Sequence, residues 1–171
     1  MEKEFIIKDY NLNKRQIILI EKYLHKLKET NKSLNLVGDS TIAQAWDRHV
    51  NDSLQLSKYM VNKNSSIIDL GTGAGIPGLL LSILGYNNIL LVDSKLKKIN
   101  FIKEFVTDNK LTTKYLCARI ENLKNNKFDF IICRAFAPLV KLLDYSLIFT
   151  KKNTSLLFLK GRSVNKEIKN A

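Results

Sequence analysis

Two hydrophobic rhythms divide the chain. Over Leu12–Lys28, Ile17, Ile20, Leu24 and Leu27 recur at the three-to-four spacing that gathers side chains on one face of a helix. Asn31–Gly38 reads as a loop, after which Asp39 or Ser40 can cap a second helix reaching about Met60. Ile42, Trp46, His49, Val50, Leu54 and Leu56 lie partly on one side of it. From Ser65 the pattern changes to short continuous apolar runs: Ser66–Leu70, Ile89–Asp93, Tyr115–Ala118, Phe128–Cys133 and Ser155–Leu159. Helical stretches over Ile76–Leu84, Leu96–Asp108 and Pro138–Ile148 separate them. Wholly apolar strands alternating with helices predict an α/β fold with a buried parallel sheet. The expected organisation is a helical N-terminal cap over residues 1–64 and an α/β core over 65–171, forming one compact unit.

Composition narrows the function classes. A chain of 171 residues, 45% hydrophobic and 26% charged, has the size and balance of one globular domain. No apolar run approaches the roughly 18 residues of a membrane span. Met1-Glu2-Lys3-Glu4 is charged, with no signal-like stretch behind it, so a cytoplasmic protein is expected. Cys117 and Cys133 lie in strand-like runs without a CxxC spacing, and there are only two histidines. That pattern argues against a disulfide framework and against a metal site. The net charge of +12 favours a polyanionic partner, nucleic acid first. The excess is concentrated in residues 119–171, where eleven basic groups face four acidic ones. Lysine outnumbers arginine 23 to 5, however, a bias that an AT-rich genome also produces, so charge alone does not choose the substrate.

The most informative stretch is Ile67-Ile68-Asp69-Leu70-Gly71-Thr72-Gly73-Ala74-Gly75-Ile76-Pro77-Gly78. A buried strand runs into a glycine turn, and a helix starts near Pro77; such a turn lets backbone approach a ligand at the carboxyl end of the first strand. Gly73–Gly78 formally matches GxGxxG, which alone also fits a dinucleotide site or a tight turn with no ligand. The frame D-x-G-x-G-x-G favours S-adenosylmethionine, because a carboxylate at Asp69 can receive an ammonium group but would repel a pyrophosphate. Asp93, ending the next strand about 20 residues on, suits ribose hydroxyls.

Later exits add candidates. Arg119-Ile120-Glu121, after the third strand, would meet an adenine or else form a solvated turn. The fourth strand leaves as Cys133-Arg134-Ala135-Phe136-Ala137-Pro138, with neither the Pro-Pro-aromatic pattern of amine-directed methyltransferases nor a Pro-Cys nucleophile. Cys133 reads as a core residue. Arg134 is a candidate for cofactor or RNA contact, or for a structural ion pair. Phe136 can stack on a base or pack. His49, beside Arg48 and Asp52, is more readily structural than a general base.

As an ordered set, Asn35-Leu36-Val37, Arg48-His49, Asp52-Ser53-Leu54, Asp69–Gly78, Leu91-Val92-Asp93-Ser94, Arg119-Ile120-Glu121, Arg134-Ala135-Phe136-Ala137 and Lys160-Gly161 resemble the RsmG family. These are the small-subunit ribosomal RNA guanine-N7 methyltransferases, also called glucose-inhibited division protein B. The resemblance implies a class I methyltransferase fold, S-adenosylmethionine as cofactor, and 16S ribosomal RNA or the small subunit as partner. It places cofactor contacts at Gly71, Ile76, Ile120, Glu121 and Arg134. Gly73 belongs to the same turn, and Asp93 is the ribose acid of the wider fold. No catalytic residue is expected, since guanine N7 carries no proton to remove, and a monomer is expected. Sheets of this class carry two further strands in a C-terminal hairpin, for which little chain follows Lys160. The expectation is therefore a missing hairpin, with either retained activity or a cofactor- and RNA-binding member without turnover; a non-RNA acceptor is the other alternative.

Overall fold

The computed structural model describes residues 2–161 and 163–169. Five parallel strands, β1 (Ile67–Leu70), β2 (Ile89–Asp93), β3 (Lys114–Cys117), β4 (Phe130–Arg134) and β5 (Ser155–Leu159), lie in the order β3-β2-β1-β4-β5. Central β1 is buried along its whole length, as its unbroken apolar run requires, while edge strands β3 and β5 are partly exposed. Register pairs Leu70 with Val92 and Asp93 with Cys117, so the carboxyl ends of β1, β2 and β3 form one edge. The strand order reverses between β2 and β4 around β1, which opens a crevice at that edge.

The connecting helices are α5 (Gly78–Leu84), α6 (Leu96–Asp108) and α7 (Leu139–Leu147), with β3 and β4 joined by a loop containing a short 3₁₀ turn at Ile120–Asn122. The expected α/β reading holds, and strand boundaries shift by two residues at most. A last helix, α8 (Val164–Lys169), follows β5. Its Glu167 accepts a hydrogen bond from Leu139 N at 2.9 Å and pairs with Lys160 at 2.6 Å, docking it at the start of α7.

The cap differs from its sequence expectation. A short helix, α1 (Lys3–Asp9), precedes α2 (Lys14–Leu34), which starts with a reciprocal cap between Asn13 and Gln16. The single helix expected over 39–60 is instead α3 (Asp39–Ile42), a π-helical segment over Trp46–Asn51, α4 (Asp52–Leu54) and a 3₁₀ turn over Gln55–Tyr59. Five apolar positions and His49 partly on one side suited a helix, but hydrophobic spacing is silent about a local change from i+4 to i+5 bonding.

Cap and sheet share one core. Ile20, Tyr23, Leu27, Val50 and Leu54 are 0–1% exposed and cluster with Ile67, Leu79, Leu80 and Leu91. Each such buried side chain contributes about 1.5–3 kcal/mol. Tyr23 packs edge-on against Phe101 and Phe105, and its hydroxyl donates to Ala74 O at 3.0 Å, tying α2 to the glycine turn. A second cluster of Ile68, Leu70, Val92, Ile131 and Phe149 fills the opposite face.

Candidate functional site

The turn after β1 is built on left-handed backbone. Gly71 and Gly73 have φ of 68° and 59°, a region costly for residues with a Cβ. Gly71 also lies under Phe136, whose ring carbon would stand 2.1 Å from a Cβ placed there. Asp69 pins the turn: one carboxyl oxygen accepts from Thr72 Oγ1 at 2.6 Å and from Gly78 N at 2.9 Å. The group is fully buried, and burial pushes its pKa up to about 7 against those two hydrogen bonds. Asp93 closes the turn from β2, accepting from Gly73 N at 3.0 Å and Lys95 N at 2.9 Å, with Lys98 Nζ 3.8 Å away.

Beside this turn is a cleft of about 210 Å³. Gly71, Gly73 and Ile76 line it from β1, Lys98 from α6, and Arg134 and Ala135 from the exit of β4. The cap supplies the other wall, through Leu36, Val37, Gly38, Thr41 and His49. Asn31 holds that wall, donating to Val37 O at 3.1 Å and to Asp39 Oδ1 at 2.7 Å while accepting from Val37 N at 2.8 Å. Arg134 lies 4.0 Å from Asp52 Oδ2, and its Nη1 is buried with no partner among the described residues. His49 is 1% exposed; burial, reinforced by the Arg134 charge, pushes its pKa down to about 4. A larger recess of about 710 Å³ lies on the cap around Lys3, Leu24, Lys28 and Trp46, and holds none of the predicted site residues.

Four predicted cofactor residues, Gly71, Gly73, Ile76 and Arg134, thus meet around one cleft, and Asp93 is bonded to its floor. Ile120 and Glu121 do not line that cleft. They follow β3, where Ala118 N donates to Asp93 O at 3.0 Å, so their turn stands beside Asp93 along the same edge. Ile120 is buried in the second core cluster, while Glu121 accepts from Tyr145 Oη at 2.7 Å, which with Arg119 and Lys141 nearby holds its carboxyl below the usual range. Cys133 is buried and its thiol is pushed up to about 12 by burial, as a core residue should be. Sequence reasoning missed Thr41, Lys98 and the Tyr23 anchor; Leu36, Val37 and His49 were singled out by motif without a site role.

The strand order, the glycine turn and the acid ending β2 define a class I methyltransferase fold. Solved structures agree: a ribosomal protein L11 methylase from Lactobacillus delbrueckii subsp. bulgaricus matches with TM-score 0.60 at 20% identity, covering 69% of this chain and 63% of that one. A putative S-adenosylmethionine-dependent methyltransferase from Methanococcus maripaludis matches with TM-score 0.59 at 12% identity, over 79% of this chain and 61% of that one. The present chain thus spans a little over three-fifths of each.

The GidB family model, described as rRNA small subunit methyltransferase G, matches residues 16–171, and the chain belongs to this family. A ribosomal RNA small subunit methyltransferase G from Orientia tsutsugamushi (strain Ikeda) is 35% identical over 98% of this chain and 84% of its own length. The protein of the same name from Rickettsia prowazekii (strain Madrid E) is 37% identical over 87% and 77% respectively.

S-Adenosylmethionine fits the residues present. Its nucleoside has the open edge from Asp93 to Glu121, and its charged amino-acid end has a cleft containing the unpartnered Arg134 Nη1. No cluster of histidine, cysteine and acidic side chains that could hold a metal ion occurs among the described residues, and no helix there is long and apolar enough to cross a membrane.

Proposed function

We propose that the protein methylates N7 of one guanine in the 16S RNA of the small ribosomal subunit, in the cytoplasm. The cofactor supplies a methyl group on a sulfonium that is already electrophilic. Guanine N7 offers an in-plane lone pair and carries no proton, so no side chain has to act as a base. What this chain supplies is alignment and exclusion of water.

The observation that carries the reading is the absence of a base along the cleft. Its ionisable side chains are His49, Lys98 and Arg134: two cations and an imidazole whose pKa near 4 makes it a poor proton acceptor. Among the described residues no carboxylate lines its walls, and the Pro-Pro-aromatic exit that would hold an exocyclic amine is replaced by Arg134-Ala135-Phe136. A net charge of +12 suits an RNA acceptor, and the family name supports the small-subunit target.

Tritiated cofactor with small subunits and with naked 16S RNA, both from a strain lacking this methylation, tests the proposal. Label in a single guanine, mapped as 7-methylguanine, is expected. Label on an exocyclic amine or on ribose, or no label while the cofactor binds normally, would overturn it.

A further inference from the structure

Away from the cofactor cleft, the fold gathers cations that the sequence leaves scattered. Two adjoining recesses, of about 450 and 280 Å³, run along the start of α2 and share Arg15, Leu19 and Lys110. Lys14 and Lys22 also line the larger one. With Ile18 between them they form an i, i+4, i+8 row along about 12 Å of helix. Lys14, Arg15, Lys22 and Lys110 are all exposed, and none has a side-chain hydrogen bond or ion pair among the described residues. Lysines elsewhere do find acids: Lys26, Lys32, Lys151 and Lys160 pair with Glu104, Glu29, Asp129 and Glu167 at 2.6–2.8 Å. Among the described residues lining the two recesses, Asp108 is the only carboxylate.

Two of these charges stand where they weaken the fold. Lys14 and Arg15 are the first two residues of α2, whose first turn holds no acid. The aligned peptide dipoles already make that end of a helix positive, so cations beside it are unfavourable. The same placement deepens a positive field that an anion from outside can meet. Gly85 and Asn87 ahead of β2, with Leu111 and Thr112 ahead of β3, line the smaller recess. The groove therefore lies at the amino edge of the sheet, the length of a strand, roughly 15 Å, from the edge where the cleft opens. Flexible cations set along a row suit a chain of phosphates rather than a single bound anion.

We propose that this groove docks the phosphate backbone of the substrate RNA at the amino edge, while the target guanine meets the cofactor at the carboxyl edge. The proposal rests on the ribosomal RNA reading and adds where that RNA is held. Contacts of this kind position a nucleic acid without reading its sequence.

Filter binding of naked 16S RNA to the full chain, followed over salt concentration, tests it with two variants. The groove variant carries Lys14→Gln, Arg15→Gln, Lys22→Gln and Lys110→Asn, asparagine being chosen because Lys110 has φ of 53°. The control carries Lys124→Gln, Lys152→Gln, Lys166→Gln and Lys169→Gln, exposed positions outside the groove. Both lose the same charge. The groove variant should bind RNA about tenfold more weakly and lower the log–log salt slope by about 3, the control changing affinity by less than about threefold. S-Adenosylhomocysteine should bind both within about twofold of wild type, and methylation of small subunits by the groove variant should show KM raised about tenfold with kcat retained. Equal losses in the two variants, or none in the groove variant, overturn the proposal. So does a groove variant that keeps its RNA affinity but no longer binds phosphatidylserine vesicles that hold the wild type. Lys14→Glu with Arg15→Glu should unfold at a higher temperature than wild type yet bind RNA more weakly; a lower unfolding temperature would show that these cations serve the fold, against the proposal. Wild-type protein whose RNA binding depends on the groove but which labels no guanine would sink the methylation reading and leave this one standing. Wild-type protein that binds no RNA would sink both.

Discussion

The two walls of the cleft differ in how completely their polar groups are paired. On the β1–β2 side, Asp69 and Asp93 between them accept four hydrogen bonds at 2.6–3.0 Å from Thr72, Gly73, Gly78 and Lys95, and one atom, Asp69 Oδ1, is buried without a partner among the described residues. On the cap–β4 side, the Arg134 guanidinium reaches Asp52 only at 4.0 Å, and its Nη1 is buried without a partner among the described residues. The first wall is assembled by folding and supports whatever binds. The second leaves a cationic donor that an anionic group of a ligand would satisfy, since an unmet buried donor costs about 1–3 kcal/mol. The lesson is that acidity near a glycine turn does not by itself identify a ligand contact. Substitutions in the paired wall should therefore act first on stability, and those in the unpaired wall first on affinity.

The largest break should come from Gly78→Ala. A Cβ there would stand 2.3 Å from Leu91 Cδ2 and 2.7 Å from Asp69 Oδ2, in a region with no room to shift. Urea unfolding should show a loss of about 3 kcal/mol. A loss below about 1 kcal/mol would show that the paired wall is softer than its hydrogen bonds suggest.

The first wall was largely legible in the sequence, whereas on the other Arg134 was named but its meeting with the cap was not, for a physical reason. Asp69, Gly71, Gly73 and Asp93 act within one strand–turn–helix unit and its neighbour, so their spacing along the chain encodes their geometry. The strands and the helices between them follow from the same local periodicity, whereas the order β3-β2-β1-β4-β5 is set by tertiary packing. The unpaired wall joins residues about 90 apart in sequence, Thr41 and His49 with Arg134, through packing of the cap on the core. No local pattern announces that contact. Nor does one announce the π-helical segment, whose apolar spacing passes for an ordinary helix, or the short α1. Glu121 is a related case: its motif was visible, but its bond to Tyr145 on α7 depends on how the loop after β3 is folded back.

The two walls also titrate in opposite senses. Asp69 has a folded pKa near 7 against 3.8 unfolded, so between those values the folded state holds the extra proton and stability falls as pH rises. His49 has a folded pKa near 4 against 6.5 unfolded, so over its window the unfolded state holds the extra proton and stability rises with pH. From about pH 4 to 6.5 the two slopes, each up to about 1.4 kcal/mol per pH unit, oppose one another. Wild-type stability should be nearly insensitive to either group there. Asp69→Asn should expose a rising stability profile and His49→Gln a falling one, read from chemical denaturation at half-unit pH steps. Parallel profiles for the two variants would mean that the walls do not differ in the way described.

A smaller effect should appear where the walls meet. Gly71→Ala imposes a left-handed backbone cost of about 1–2 kcal/mol and pushes the Phe136 ring off the turn. Phe136→Ala removes the ring that the new methyl would strike, so the double variant should be more stable than the sum of the singles predicts by about 0.5–1 kcal/mol. Strict additivity would show that the ring moves away freely, and that Phe136 does not close the turn from the β4 side.

The smallest effect should come from a paired carboxylate far from the cleft. Asp129, just before β4 at the opposite edge of the sheet, accepts from Ser66 N and Ser66 Oγ at 2.8 Å and faces Lys151 at 2.6 Å. Its hydrogen bond with Lys151, followed by those with Ser66, holds its pKa down to about 2. The stability this gives is present above the unfolded value of 3.8 and is lost as pH falls through 2. The side chain is 39% exposed, so solvent screening reduces the contribution well below what the pKa alone implies. Asp129→Asn retains an acceptor for Ser66 and removes the charge; at pH 7 it should cost less than about 1 kcal/mol, and the difference should vanish near pH 2. Its S-adenosylhomocysteine titration should superimpose on that of the wild type. Any change in that affinity would mean that charge at the amino edge is felt through the sheet at the carboxyl edge, and pairing would then no longer separate scaffold from ligand contact in this fold.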